Sequence, residues 1–389
     1  MEYASKIDPL VLAQKCFALI DKTKKSGTYK YATLLALLNV ISTKLDQNGT
    51  PTPKIMISDI GREVMRLYWN QAVPFKGADP LKQSPQQDIV YKIVQYRTIH
   101  DLKLPRATID QARCEDPTGF KTLEKRSIKT VANMPIRLLQ KFGEGNQARE
   151  ELFLFDFSWT GDLKEKQIDT AHLILKPGVG EGLILLSPLL RAQIENQWMQ
   201  YVSDQNNLDA SALNNYLFGF TRSAVATFAK YLIPLQEGKC FYCGATITNQ
   251  SAHVDHVIPW SFSHDDGLDN LVATCSPCNL SKSALLLGLE HLKNWSKRLV
   301  VGSPENLAIT DLAEKQELFR DLNLTHRHAR SAYRLAPEGT SVWNSRDIID
   351  TIDQSASLGI LAGPEVVAAD WDPTSPNTPP SAAVSTTHH

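Results

Sequence analysis

Two cysteine pairs restrict what this chain can fold into more than any other feature. Cys240 and Cys243 make up "CFYC", Cys275 and Cys278 make up "CSPC", and 31 residues separate the pairs. Four soft thiolates in two C-x2-C knuckles are the ligand set of a closed tetrahedral zinc site. Disulfides are the poorer alternative in a chain read as cytoplasmic, where thiols stay reduced. A redox role is disfavoured as well, because there are two pairs and no thioredoxin-like pattern surrounds them. A structural zinc contributes roughly 10 kcal/mol or more to folding, which matters where the enclosed segment reads as a short hairpin with little core of its own. Cys16 and Cys114 stand alone, and Cys16, inside "LVLAQKCFALI", reads as a core residue.

At 389 residues the chain exceeds the length one hydrophobic core supports, so two or three packed units are expected. Its apolar fraction of 42% and charged fraction of 21% are those of a globular protein. No stretch approaches the roughly 18 apolar residues of a membrane span. The opening "MEYASKIDPLVLAQKC" has early charges and a helix-like pattern in place of a signal-peptide core. A cytoplasmic location without a membrane partner is the expectation. The net charge of -1 conceals an asymmetry: residues 1–150 carry 24 Lys+Arg against 15 Asp+Glu, or +9, and residues 151–389 carry 17 against 27, or -10. A basic front suits a surface that meets a polyanion, although a lysine-rich solvated face accounts for the same count.

Along the chain, "TYKYATLLALLNVISTKL" (28–45) and "SDIGREVMRLYWNQAV" (58–73) have helical periodicity, with Thr28 as the expected N-cap of the first. Their layout is compatible with a helix-turn-helix-like element, though such patterns more often mean ordinary packing. "LEKRSIKTVANMPIRLLQKFG" (123–143) combines a helical stripe with Lys125, Arg126, Lys129, Arg137 and Lys141, which makes it the preferred phosphate-facing surface. The period then changes: "ELFLFDFSW" (151–159) alternates, and "AHLILKPGVGEGLILL" (171–186) reads as two strand-like runs around a Gly/Pro turn, a hairpin in place of a nucleotide-binding loop. Residues 188–236 are again helical, as is "NLSKSALLLGLEHLKNWSKRL" (279–299). The Pro/Ser/Thr-rich end is expected to be disordered. The fold class is α+β, mainly helical.

The segment between the cysteine pairs contains "HVDHVIP" (253–259) and then Asp269-Asn270, and the second pair runs into "CNLSK" (278–282) at the head of a helix. This resembles the HNH (ββα-metal, His-Me finger) endonuclease superfamily in its zinc-bearing version. The pattern D-H-[VI]-[VI]-P, D-N, C-x-x-C-N-x-x-K is carried by Asp255, His256, Pro259, Asp269, Asn270, Cys275, Cys278, Asn279 and Lys282. The likeness covers about residues 238–295. Its flanks resemble, more weakly, bacterial HNH proteins of the restriction and phage-defence kind.

Phosphodiester hydrolysis needs a base to activate water and a divalent cation to neutralise charge. The resemblance implies His256 as the base, Asp255 and Asn279 as oxygen ligands of a Mg2+ or Mn2+ ion, and Asn270 as the residue that ties the hairpin loop together. Oxygen ligands suit that ion and thiolates suit Zn2+, so the two metals should not exchange places. Lys282, one helical turn after Asn279, is placed to meet a phosphate. His253 shares a strand face with Asp255 and is an additional candidate for a metal or phosphate ligand, with support of the hairpin as the equal alternative. His264, Asp265 and Asp266 read mainly as a solvated turn, with either aspartate able to assist the metal, and His326 and His328 read as charged surface beside Arg327 and Arg330, with a contact to the DNA backbone as the alternative.

These readings divide the chain into a basic helical region for DNA binding or regulation (1–150), a small β-unit with helices (151–236), the ββα module with its zinc site (237–300), an extension (301–365) and a tail (366–389). The expected activity is metal-dependent hydrolysis of DNA, one strand per active site, in restriction or phage defence. Its partners are DNA and further proteins of a defence system; the sequence specifies no oligomeric state. The alternatives are a zinc-stabilised nucleic-acid-binding module without catalysis, and an effector nuclease held inactive until a partner releases it.

Overall fold

The computed structural model describes residues 6–21, 27–69, 71–75, 80–84, 88–100, 109–142, 149–209, 213, 216–218, 226–316, 318 and 320–362. The first half is helical. α1 (Pro9–Asp21), α2 (Tyr29–Thr43), α3 (Ile57–Trp69), α4 (Asp88–Ile99), α5 (Ile109–Glu115), α6 (Pro117–Asn133) and α7 (Pro135–Leu138) lead to the long α8 (Val179–Asn206). α2 is buried at every position from Tyr31 to Ser42, as expected of a helix that is apolar all round and sits at the centre of a core. α3 and α8 pack against it, and α1 packs on α8. Short strands lie at one side. β1 (Lys54–Met56) will pair with a later strand, and β2 (Lys141–Phe142) and β3 (Arg149–Glu150) pair with each other. β4 (Phe155–Phe157) and β5 (His172–Leu175) complete an antiparallel sheet of order β1-β5-β4. Trp69, Trp198 and Tyr68 are among the largest fully buried side chains of this core.

A second apolar cluster gathers residues 232–361. It is built from α9 (Ala229–Leu235), the antiparallel pair β6 (Ala252–His256) and β7 (Leu271–Cys275), the one-turn α10 (Trp260–Ser263) between them, and α11 (Ser276–Lys282). Beyond these come β8 (Leu286–Leu287), α12 (Leu289–Ser296), α13 (Pro304–Gln316), α14 (Leu322–Leu335), β9 (Ser341–Ser345), β10 (Ile348–Thr351) and α15 (Gln354–Ile360). β9 pairs parallel with β8 and antiparallel with β10. The buried Trp343 and Trp295 fill the space behind the hairpin. α10 and α14 pack against α2 and α8, so the two clusters meet through these helices. Among the described residues no helix is long and apolar enough to cross a membrane.

Four local expectations are corrected. Thr28 makes no side-chain cap bond; its hydroxyl is used inside the core, 2.7 Å from Tyr68 Oη and 3.2 Å from Gln83 Oε1. Residues 171–186 are a strand, a turn and a helix, with no hairpin. Gly178 takes φ +82° to make the turn, and at Gly182 a Cβ would lie 2.5 Å from Leu12 Cδ2, so a glycine lets α1 approach α8 closely. Residues 279–299 are not one helix, because α11 ends at Ser283, whose φ is +48°, and the chain then pairs as β8 with β9 before α12 begins. His328 is no surface residue: it is 3% exposed and its Nε2 lies 2.7 Å from Ser42 O on α2. The tail expected to be disordered lies outside the described residues.

Candidate active site

The four cysteines converge. Cys240 and Cys243 lie in the turn before β6, Cys275 ends β7, and Cys278 sits in the first turn of α11. Their Sγ atoms all lie within 4.8 Å of one another, and among the described residues no other group of three or more His, Cys, Asp or Glu side chains comes that close. Cys240 and Cys278 are buried and Cys243 is exposed. Burial opposes ionisation of the Cys243 thiol, but the Ala245 amide and the neighbouring sulfurs outweigh it and bring its pKa to about 7. Burial and the surrounding sulfurs push Cys278 the other way. Crowded sulfurs of this kind, one of them easily ionised, fit a tetrahedral thiolate site for zinc.

The hairpin above this cluster holds the residues expected to carry the chemistry. β6 pairs with β7 in the register Asp255 to Val272 and His256 to Leu271, and α11 packs on both strands. Successive residues of a strand face opposite ways, so Asp255 and His256 diverge. Asp255 points inward, where its Oδ2 accepts a 2.7 Å hydrogen bond from Tyr242 Oη and lies 3.2 Å from Lys282 Nζ. Its Oδ1 has no hydrogen-bond partner among the described residues, and neither has the half-buried side-chain amide of Asn279 on α11. His256 turns toward the loop that follows α10, with Nε2 2.8 Å from Asp266 Oδ1.

Asn270 sits inside the segment between the strands. Fully buried, it accepts from Ile258 N at 2.8 Å and donates to Ile258 O and Asp265 O at 3.0 Å each, lacing the segment between the strands to itself. Lys282 departs from expectation. Its ammonium has no exposure and donates to His256 O at 2.9 Å besides pairing with Asp255, so it props the hairpin from inside and faces no phosphate. The supposed solvated turn is also a built structure. Asp265 is 3% exposed, and it accepts from Gly267 N at 2.8 Å and from Thr325 Oγ1 at 2.6 Å. Asp269 is fully buried and grips Arg320 Nε with both oxygens. Sequence reasoning missed Asp266 as a partner of His256, and the only available signal was a carboxylate inside the loop that the hairpin must close.

His253 is exposed on β6, and its ring makes no hydrogen bond among the described residues. Lys125, Arg126 and Lys129 lie along α6 and line a shallow surface groove of about 580 Å³ with Lys121 and Glu165. Lys125 pairs with Glu165 at 3.0 Å, whereas Arg126 and Lys129 are exposed.

Residues 240–285 match the family model described as HNH endonuclease. The chain is also 23% identical to a CRISPR-associated endonuclease Cas9 of Actinomyces naeslundii, over 51% of this chain and 22% of that protein. The match therefore spans about a fifth of the relative's length. No solved structure matches the chain.

Proposed function

Residues 240–285 form an HNH endonuclease domain, and from that premise we propose that the protein hydrolyses DNA phosphodiester bonds with the help of a divalent cation, nicking one strand per active site. The observation that carries the reading is the hairpin-and-helix unit itself, which holds an oriented imidazole on one strand and, on that strand and the following helix, two oxygen donors without hydrogen-bond partners among the described residues. His256 takes a proton from water as the water oxygen bonds to phosphorus; the bond from phosphorus to the 3′ oxygen breaks, and the departing oxygen gains a proton. A bound Mg2+ or Mn2+ would neutralise charge on the phosphate and the leaving oxygen. Asp255 Oδ1 and the Asn279 amide oxygen suit such an ion, because both are hard donors without partners among the described residues. The four thiolates suit zinc and are kept apart from this role. Lys282 keeps Asp255 from turning and His256's backbone from shifting. DNA is the proposed partner, with the exposed Arg126 and Lys129 of α6 among its contacts. A setting in phage defence is supported by the relative's description as CRISPR-associated.

The test is supercoiled plasmid incubated with the zinc-loaded protein and Mg2+ or Mn2+, beside His256→Ala and a chelator control. Nicked circles should appear before linear product and only with the metal, and His256→Ala should lose them by about 10²-fold or more. A folded wild type that binds DNA but leaves it intact with either metal would sink the reading in favour of a binding module. His253→Ala in the same assay shows whether that ring contributes to the ion: a higher metal concentration for half-maximal nicking supports it, and an unchanged one removes it.

A further inference from the structure

The contact between His256 and Asp266 decides more than the position of a loop. The two side chains are 18% and 30% exposed and 2.8 Å apart. A carboxylate only accepts hydrogen bonds, so His256 Nε2 must donate, and the neutral ring then carries its proton on that atom. Its Nδ1 has no hydrogen-bond partner among the described residues and does not belong to the buried unpartnered atoms, so its lone pair reaches solvent.

Asp266 is held where it is needed. The preceding Asp265 is fastened by Gly267 N and Thr325 Oγ1, and its carbonyl accepts from Asn270. Behind Asp266 lies a cavity of about 300 Å³ whose wall includes Arg66 and Glu63. Arg66, the cation nearest in kind to a rival partner, is gripped by Glu63 through Nε at 2.7 Å and Nη2 at 2.6 Å. Among the described residues the hydrogen-bond partner of the Asp266 carboxylate is thus the imidazole, with the Arg66 charge felt nearby.

We propose that Asp266 is the positioning residue of His256: it fixes the ring's orientation and its Nε2–H tautomer, so that Nδ1 is the atom presented to water. This rests on the nuclease reading above. The predicted step uses Nδ1 as the proton acceptor, with Nε2–H retained by Asp266 throughout.

Two readouts on the full-length, zinc-loaded protein test it. In plasmid nicking, Asp266→Ala should lower kcat on the order of 10²-fold and leave KM within about twofold, and Asp266→Asn, which keeps an acceptor oxygen for Nε2–H, should recover most of the loss. In nitrogen NMR of the His256 ring, wild type and Asp266→Asn should show the Nε2–H tautomer and Asp266→Ala a mixture. Unchanged or raised turnover in Asp266→Ala overturns the proposal, as does an Nδ1–H ring in the wild type. If the wild type cleaves nothing, the nuclease reading fails, and the ring spectrum still decides the pairing.

Discussion

The ammonium of Lys282 sits in the interior, where burial pushes its pKa down while Asp255 pulls it up. Such a charge is stable only because Asp255 Oδ2 and His256 O surround it. Removing it leaves Asp255 buried at 8% exposure with Tyr242 as its remaining side-chain donor among the described residues. Lys282→Ala should therefore cost about 3 kcal/mol or more in denaturant unfolding. Because Lys282 meets no phosphate, residual DNA binding by the folded fraction should keep the wild-type slope of log affinity against log salt. Loss of a phosphate contact would reduce that slope by about 0.9, so a reduced slope would return Lys282 to the DNA surface. Tyr242 repays notice as well: its hydroxyl is held protonated by burial and by Asp255, which suits a donor and excludes it as a base.

At the scale of elements, the seam between the two clusters depends on α10 and α14. α10 ends at His264, whose φ of +53° closes the helix and whose ring lies against Trp260 with 3.7 Å between centroids. Burial, reinforced by the charges of Arg191 and Arg66, holds the His264 pKa well below its ordinary value. The unfolded chain takes up this proton as pH falls through about 6.5 while the folded chain does not, so the unfolded state binds more protons and stability falls with pH. The loss begins near pH 6.5, grows by up to about 1.4 kcal/mol per unit, and ends at the depressed folded pKa. His326, also depressed chiefly by burial, acts in the same sense. Thermal melts between pH 7 and 5 should show a falling Tm, less steep in His264→Asn, which tolerates the left-handed backbone. An equal slope in the variant would remove His264 from the account. The broken helix after α11 belongs to this scale too. Residues 279–299 have an apolar pattern dense enough for one helix, but Leu286 and Leu287 gain a strand partner in Val342 and Trp343, more than fifty residues away. Periodicity cannot register a partner that distant.

For the whole molecule, the two apolar clusters, residues 12–217 and 232–361, should depend unequally on zinc. The second is built around a two-stranded hairpin, and an isolated hairpin is marginal in water. Chelating the zinc should therefore lower the melting of the C-terminal cluster and separate it from that of the helical one, visible as two calorimetric transitions where the loaded protein shows less separation. Unaltered melting after verified zinc loss would mean that the cysteine cluster adds little to folding. The match of residues 240–285 and the four-cysteine cluster were legible beforehand, because both rest on short-range spacing that the chain itself states. The same holds for the helical front half, where α2 and α3 follow from apolar recurrence, and for Cys16 in the core. What tertiary structure alone decided is which polar groups end up inside and whom they meet. Lys282, Asp265 and His328 look like surface in sequence, yet each is buried on a partner; for Asp265 and His328 that partner lies 60 and 286 residues away. Burial of a charge is permitted only by the partner that compensates it, and that pairing exists only once the chain has closed on itself.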